Sequence, residues 1–400
     1  MILKLVLSAS VLCLIASLWK YLEYNYYDNA FLTQNISEII RSWPNYTAEE
    51  HYLITEDGYE ILVERAFLNI SKPTPIIIVH GMAMNAIGWV NKENISLARL
   101  LGDLGYDIWM LNFRGTWYSK GHINLKSTDK DYWQFNLDDL GVHDVRSIVK
   151  LVYEKTNRQA IYIGYSMGTT SFFIYSSSFP DETKNYLKGM VALAPVINFK
   201  DSISILRFSD YVWPFLKEIV SFLWNGEMCP GFSFFLKPLM ATSPGMFSIL
   251  FGLKMIGGDD YEQIDPITFP LEMNRMVDTI GSEVYTHLVQ IHISGVFQHY
   301  DHGKERNLET YGTPTPPPYD LSKIPVPVAM FFGANDWLAT PRNAKQAYSE
   351  LQPSLRCGYH AVPFEKWNHL DFIIAKDLPK YLYEDMFHKI SDIDSEKCVP

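Results

Sequence analysis

Short apolar runs alternate with amphipathic stretches from residue 51 to residue 196. Ile61-Leu62-Val63, Ile76-Ile77-Ile78-Val79, Asp107-Ile108-Trp109-Met110-Leu111, Ile161-Tyr162-Ile163-Gly164 and Met190-Val191-Ala192-Leu193 read as strands, with helix-period segments such as 139–154 between them. Consecutive parallel strands need a crossover, which a helix supplies, so this alternation predicts an α/β fold with a mostly parallel central sheet flanked by helices. Within 139–154 the acid Asp144 comes early and Lys150 late, as a helix dipole favours. The rhythm breaks over 198–315, where strand signals thin and Phe, Met, Leu and Trp crowd together. It resumes with Pro325-Val326-Pro327-Val328-Ala329-Met330-Phe331-Phe332 and with Tyr359-His360-Ala361-Val362-Pro363-Phe364. We therefore expect a core in two parts, 32–197 and 316–392, interrupted by a mainly helical insertion at 198–315 and followed by a tail at 393–400. The stretch Tyr311-Gly312-Thr313-Pro314-Thr315-Pro316-Pro317-Pro318 reads as a stiff, extended return to the core.

Chemistry enters at the end of the strand 160–163. Gly164-Tyr165-Ser166-Met167-Gly168 follows it and opens the small-residue stretch Thr169-Thr170-Ser171, giving strand, sharp turn and helix in succession. In that context G-x-S-x-G is a nucleophile elbow. Gly164 and Gly168 permit the close strand–helix approach that a Cβ would block. A serine hydroxyl is a weak nucleophile alone and needs a base oriented by a third group. The expected chain order is serine, acid, histidine. Asp336 follows the apolar run 325–332 in the turn Gly333-Ala334-Asn335-Asp336, and His369 follows the run 359–364, so both sit just past strand carboxyl ends, where open α/β sheets gather their chemistry. Asp371, only two residues from His369, and Asp320, which precedes its strand, are the rival acids. After Ile76-Ile77-Ile78-Val79 comes His80-Gly81-Met82, and the backbone amides of Met82 and Met167 are the expected oxyanion donors. His80 reads as an organiser of that loop. His299 and His302 lack a third ligand at metal spacing, so no metal is expected there.

These residues resemble the acid lipases of the gastric, lingual and lysosomal type, within the α/β-hydrolase fold. The resemblance runs from Asn35-Ile36-Ser37-Glu38-Ile39-Ile40 and Thr55-Glu56-Asp57-Gly58-Tyr59, through Leu104-Gly105-Tyr106-Asp107 and Ala194-Pro195-Val196, to Asn335-Asp336-Trp337-Leu338-Ala339 and His369-Leu370-Asp371-Phe372-Ile373. It implies Ser166 as nucleophile, Asp336 as orienting acid and His369 as base, in agreement with the reading from order and context, and places a cap in the insertion. The chain departs from the family at Tyr165, where histidine is usual, at Met167, where glutamine is common, and around Arg114-Gly115 in Asn112-Phe113-Arg114-Gly115-Thr116-Trp117. Those departures bear on acyl preference and rate. The family's cap usually holds a disulfide between two nearby cysteines, and Cys229 has no such neighbour. With Cys13 in the amino-terminal apolar run, a bond would join Cys357 to Cys398.

Composition narrows the partners. A formal net charge of -11 argues against nucleic acid, which requires a basic face. No phosphate-binding loop of the G-x-x-x-x-G-K type occurs, and no cofactor or obligate protein partner is implied. Residues 1–18 carry Lys4 and then an apolar run shorter than the roughly 20 residues that span a bilayer, a signal-peptide profile with an uncleaved anchor as the alternative. The sequons at Asn35, Asn45, Asn69 and Asn94 fit a secreted or lysosomal glycoprotein. The function expected is hydrolysis of neutral lipid esters, such as triacylglycerols or cholesteryl esters, at a lipid–water interface. The alternatives are a short-chain carboxylesterase and a non-catalytic lipid carrier on the same scaffold.

Overall fold

The computed structural model describes residues 34–69, 73–228 and 243–398. Its main sheet is built from β1 (Tyr46–Ile54), β2 (Tyr59–Leu68), β3 (Pro75–Val79), β4 (Asp107–Leu111), β5 (Ala160–Tyr165), β6 (Leu187–Leu193), β7 (Val328–Phe332) and β8 (Arg356–Ala361). They lie in the order β1-β2-β4-β3-β5-β6-β7-β8, with the short strand Gly121–His122 added against β2. The β1–β2 and β2–β4 pairs are antiparallel, and all later pairs are parallel. β3, β4 and β5 are buried along their whole length. Their side chains alternate between two hydrophobic layers: Ile76 and Ile78 enter one, Ile77 and Val79 the other. Covering both faces in this way is why these strands read as unbroken apolar runs.

Two elements differ from the pattern in the sequence. β1 is an antiparallel edge strand in which buried or half-buried positions are interrupted by exposed ones, and most of its length, Thr47-Ala48-Glu49-Glu50-His51, is largely polar. The segment 139–154 is not one regular helix. It begins as Leu137–Asp139, widens to a π-helical turn over Leu140–Val145, and continues as Arg146–Thr156. Asp144 falls in the wide turn and is fully buried, so it does not serve the helix dipole. Its Oδ2 accepts the backbone N–H of Arg114 at 3.0 Å and its Oδ1 accepts Nε–H at 2.8 Å. The Arg114 guanidinium also pairs with Asp57 and lies 4.1 Å above the Tyr59 ring. The unusual Arg114-Gly115 segment is thus an ion-paired plug between the β4 loop and the wide turn.

Between β6 and β7 the described insertion is helical, with helices Ser209–Trp224, Ser243–Gly257, Phe269–Met276, Ser282–Ser294 and Lys304–Tyr311. The return segment bridges back through Pro318 opposite Gln298. Cys229 and the amino-terminal run 1–18 fall outside the described residues. Among the described residues no helix is long and apolar enough to cross a membrane. Cys357 and Cys398 are joined by a disulfide, their Cα atoms 5.1 Å apart. Asn35 caps the helix Ile36–Ser42, accepting the Glu38 N–H at 2.8 Å, while Asn45, Asn69 and Asn94 are exposed.

The plug generates a stability prediction. Asp144→Ala leaves the buried Arg114 cation with Asp57 alone, and unpairing a buried charge destabilises by about 3–5 kcal/mol. Because Asp57 remains, the lower end of that range is expected in a urea titration at pH 7. An unchanged unfolding midpoint would show that the pair contributes nothing to the fold.

Candidate active site

Ser166 ends β5 and begins the helix Met167–Ser178 with φ 49° and ψ -115°, a backbone conformation that L-residues avoid. Its N–H donates to Leu193 O on β6 at 3.0 Å, which fixes the turn to the sheet. The turn is tight enough to exclude side chains at its flanks. A Cβ on Gly164 would stand 2.8 Å from Gly168 O, and a Cβ on Gly168 would stand 2.5 Å from Val79 O. The two glycines therefore do what the pentapeptide implies. They let the helix approach β3 and β5 closely while the serine hydroxyl is thrust out of the turn.

Two loops converge on that hydroxyl. Asp336 lies four residues beyond β7, and its Oδ1 accepts the N–H groups of Leu338 at 2.9 Å and Ala339 at 2.7 Å. This leaves Oδ2 facing His369 Nδ1 at 2.8 Å, and His369 Nε2 lies 2.9 Å from Ser166 Oγ. All three side chains are buried. Nδ1–H donates to the carboxylate, so Nε2 is the free lone pair that can take the serine proton. Of the rival acids, Asp371 accepts the Asn368 N–H at 2.7 Å and Asp320 caps the turn Leu321–Lys323. Neither is the hydrogen-bond partner of the His369 ring.

Met82 and Met167 line a cleft with Ser166, together with Phe199, Leu206, Leu288 and Val289. Met167 is the first residue of its helix, so its N–H has no intrahelical acceptor. Gly81 is needed on the other side, because a Cβ there would meet the Tyr165 ring at 2.8 Å. His80 is fully buried, with Nδ1–H donating to Gly81 O at 2.8 Å and Nε2 accepting the Phe113 N–H at 3.2 Å. Burial lowers its pKa from 6.5 to about 4, so it stays neutral and keeps both bonds. It is a loop organiser, as its position in the sequence indicates.

Tyr165, where the resembling family usually has histidine, is buried against the histidine loop. It is not in the lining of the acyl cleft; its hydroxyl donates to His369 O at 3.0 Å, with the two rings 5.4 Å apart. Met167 does line the cleft. His299 Nδ1 lies 2.9 Å from the Tyr319 hydroxyl, which also reaches Asp138 at 2.6 Å, and His302 packs on Tyr300 and Tyr311. Among the described residues, one group of acids and histidine stands close enough to share a cation, Asp57, Asp139 and His143, and the Arg114 guanidinium already occupies Asp57.

Sequence reasoning missed the braces supplied by the insertion. Gly257 O accepts both His369 N–H at 3.1 Å and Trp337 N–H at 3.2 Å. On the Gly81-Met82 side, Asn85 N–H donates to Met276 O at 3.1 Å, and Ala83 O accepts from Asp278 N–H at 2.9 Å. The only visible signal was the quartet Gly257-Gly258-Asp259-Asp260, whose Gly258 has φ +120°.

Fold and site geometry define an α/β hydrolase, and the α/β hydrolase fold family model matches residues 74–220. The chain is 32% identical over 378 residues to the human gastric triacylglycerol lipase, covering 90% of this chain and 92% of that one. The rat protein of the same name is 30% identical, with 91% and 93% covered, and Lipase 1 of Drosophila melanogaster is 28% identical, with 90% and 80% covered. The chain belongs to the acid lipase family of α/β hydrolases, and is a carboxylic ester hydrolase. Solved structures share the fold at lower identity. A putative lipase from Sulfolobus solfataricus superposes with a TM-score of 0.56 at 13% identity, covering 88% of this chain and 95% of that one. A putative aryl esterase from Burkholderia cenocepacia gives 0.51 at 19%, with 87% and 99% covered.

His80→Ala should reduce ester turnover moderately, by about 10–100-fold, with the acyl group still carried on the same serine. A histidine with a depressed folded pKa stabilises fully above its unfolded value near 6.5 and loses that contribution as pH falls toward about 4. The stability gap between wild type and His80→Ala should therefore narrow between pH 7 and pH 4 in urea titrations. A gap that widens on acidification would contradict a neutral, buried His80.

Proposed function

We propose that Ser166 is the nucleophile, His369 the general base and acid, and Asp336 the group that orients His369. The continuous chain of contacts at 2.9 and 2.8 Å from Ser166 through His369 to Asp336 carries this reading. Ser166 Oγ attacks the ester carbonyl while its proton passes to His369 Nε2. The resulting oxyanion is held by the Met82 and Met167 amides. His369 then protonates the departing alcohol, and a water activated by the same nitrogen releases the acid and restores Ser166. Asp336 holds the imidazole tautomer throughout. No cofactor is needed for any of these steps.

The substrate class we assign is neutral lipid ester at a lipid–water interface. Two observations support it. The cleft beside Ser166 is lined mainly by apolar side chains, and the helix Ser209–Trp224 leaves Tyr211, Phe215 and Phe222 at 86%, 71% and 86% exposed. Exposed apolar surface of this kind is stabilised by contact with lipid. The names of the gastric lipase relatives point the same way. A non-catalytic carrier would have no use for an assembled triad.

We also assign the chain to the secretory route, to be secreted or lysosomal. The apolar run 5–18 and the exposed sequon residues Asn45, Asn69 and Asn94 support this. Intact-mass and peptide analysis of the expressed protein should find the first 16–20 or so residues removed and glycans on these asparagines. An intact Met1 in a membrane pellet would favour an uncleaved anchor.

Ser166→Ala, Asp336→Ala and His369→Ala should each lower turnover by several orders of magnitude, and combining them should add little, because triad members act as a unit. A fluorophosphonate probe should label Ser166 alone, and labelling should vanish in the His369→Ala protein. Long-chain, water-insoluble esters should be preferred over short soluble ones. The reverse preference would favour the short-chain carboxylesterase reading. Lipid binding without turnover of any ester would favour a carrier.

A further inference from the structure

The insertion sends one strut directly between the two loops that carry Asp336 and His369. Besides the two bonds to Gly257 O, Asn368 Nδ2–H donates to Gly258 O at 3.1 Å and Asn335 Nδ2–H donates to Asp259 O at 3.0 Å. Gly258 is pressed so closely on the acid loop that a Cβ would stand 2.1 Å from Asn335 O. Residues 257–260 thus set the separation of the acid loop from the histidine loop. Their own position depends on what holds the far end.

That end is Asp260. Its Oδ1 accepts the N–H groups of Glu262 at 2.8 Å and Gln263 at 3.3 Å, and its Oδ2 is buried without a conventional donor. Asp371, fully buried in the histidine loop, is the mirror case: Oδ2 accepts the Asn368 N–H at 2.7 Å, and Oδ1 is buried without a donor. The two carboxyl groups are within hydrogen-bond reach of each other. A single proton held between the two carboxyls would let both stay buried, since two buried carboxylates in contact cannot both be ionised.

We propose that a proton shared by Asp260 and Asp371 pins the 257–260 strut to the His369 loop, so that both carboxyls are positioning residues for the acid and the base, and that its loss at alkaline pH releases the strut. The surroundings favour retention of the proton at acid and neutral pH. Asp371 is faced by Asp260, by Asp336 and by the Tyr165 hydroxyl, and it lies two residues from His369. Asp260 is faced by Glu262 and by Lys366, whose ammonium is held by Glu262. Burial, with the charges of Asp260 and Asp336 added, raises the Asp371 pKa from 3.8 to about 8. A carboxyl raised in the folded state contributes fully below its unfolded pKa and loses that contribution as pH rises through the folded one.

The proposal uses the hydrolase reading for its activity readout and needs a second readout independent of turnover. Asp260→Asn and Asp371→Asn each put an N–H donor where one orphaned oxygen stands, keep the acceptor for the backbone amides, and make the link independent of pH. With a soluble p-nitrophenyl ester, wild-type kcat should fall reversibly above pH 8 with little change in KM. The ratio of kcat at pH 8.5 to that at pH 5.5 should be at least about fivefold higher in either single variant. The double variant sets two NH2 groups against each other and should melt below both singles. In Ser166→Ala protein, which performs no turnover, the loss of melting temperature from pH 5.5 to 8.5 should be smaller once either asparagine is present. Equal kcat ratios and equal melting-temperature losses in parent and variants would overturn the shared proton. A changed melting response with no ester turnover by the wild-type protein would instead leave the pair standing and remove the hydrolase reading.

Discussion

The structure depends first on a backbone held where an L-residue does not rest. Ser166 at φ 49° lifts its hydroxyl clear of β5 and starts a helix in the same step. Such strain costs on the order of 1–3 kcal/mol and persists only where neighbours over-determine it. Here the neighbours are β6, through Leu193 O, and β3, through the approach at Gly168 that leaves no room for a Cβ. The parallel sheet therefore does more than fill the core. It forces one turn, and the turn fixes the point on which the Asp336 and His369 loops must converge.

Much of this was legible in the sequence because the constraints are local. A buried parallel strand needs an apolar run, a tight elbow needs glycines, and the acid and base need a strand end. So β2 to β8, and the convergence of Ser166, Asp336 and His369, could be read from residues alone. What escaped reading was set by tertiary contact. β1 is a half-exposed edge strand of largely polar sequence, and the helix from Leu137 to Thr156 widens where Asp144 turns inward to a cation thirty residues earlier in the chain. Tyr165 gave no sign that its hydroxyl would reach a carbonyl more than two hundred residues away. Asp260 and Asp371 are ordinary acids until their burial is known.

The insertion has two mechanical halves. Residues 257–260 and 275–278 are built into the loops around the serine by backbone hydrogen bonds, some of which carry His369 and Met276 themselves. The helix Ser209–Trp224 is attached mainly through Trp213, whose Nε1–H donates to Thr286 at 3.0 Å and whose ring meets Tyr285 edge-on, and through the Asp210–His292 and Lys217–Glu283 pairs. Most of its other apolar side chains face outward. The outer helix therefore shares none of the hydrogen bonds that set the distances between the serine, the imidazole and the carboxylate. The insertion's inner part is bonded to the loops around the serine, while its outer helix leaves Tyr211, Phe215 and Phe222 exposed.

The Cys357–Cys398 bond closes a covalent ring spanning 41 residues of sequence, and His369, Asp371 and the helix Glu384–Asp394 all lie inside it. A crosslink of that span limits the unfolded chain by about 4 kcal/mol in the chain-entropy view. Its topological effect is separate. A single peptide-bond cut anywhere in the ring leaves both fragments tethered, so a nicked molecule would still hold its histidine loop at the edge of the sheet. Tolerance of a nick in this segment comes from connectivity, not from a tighter core.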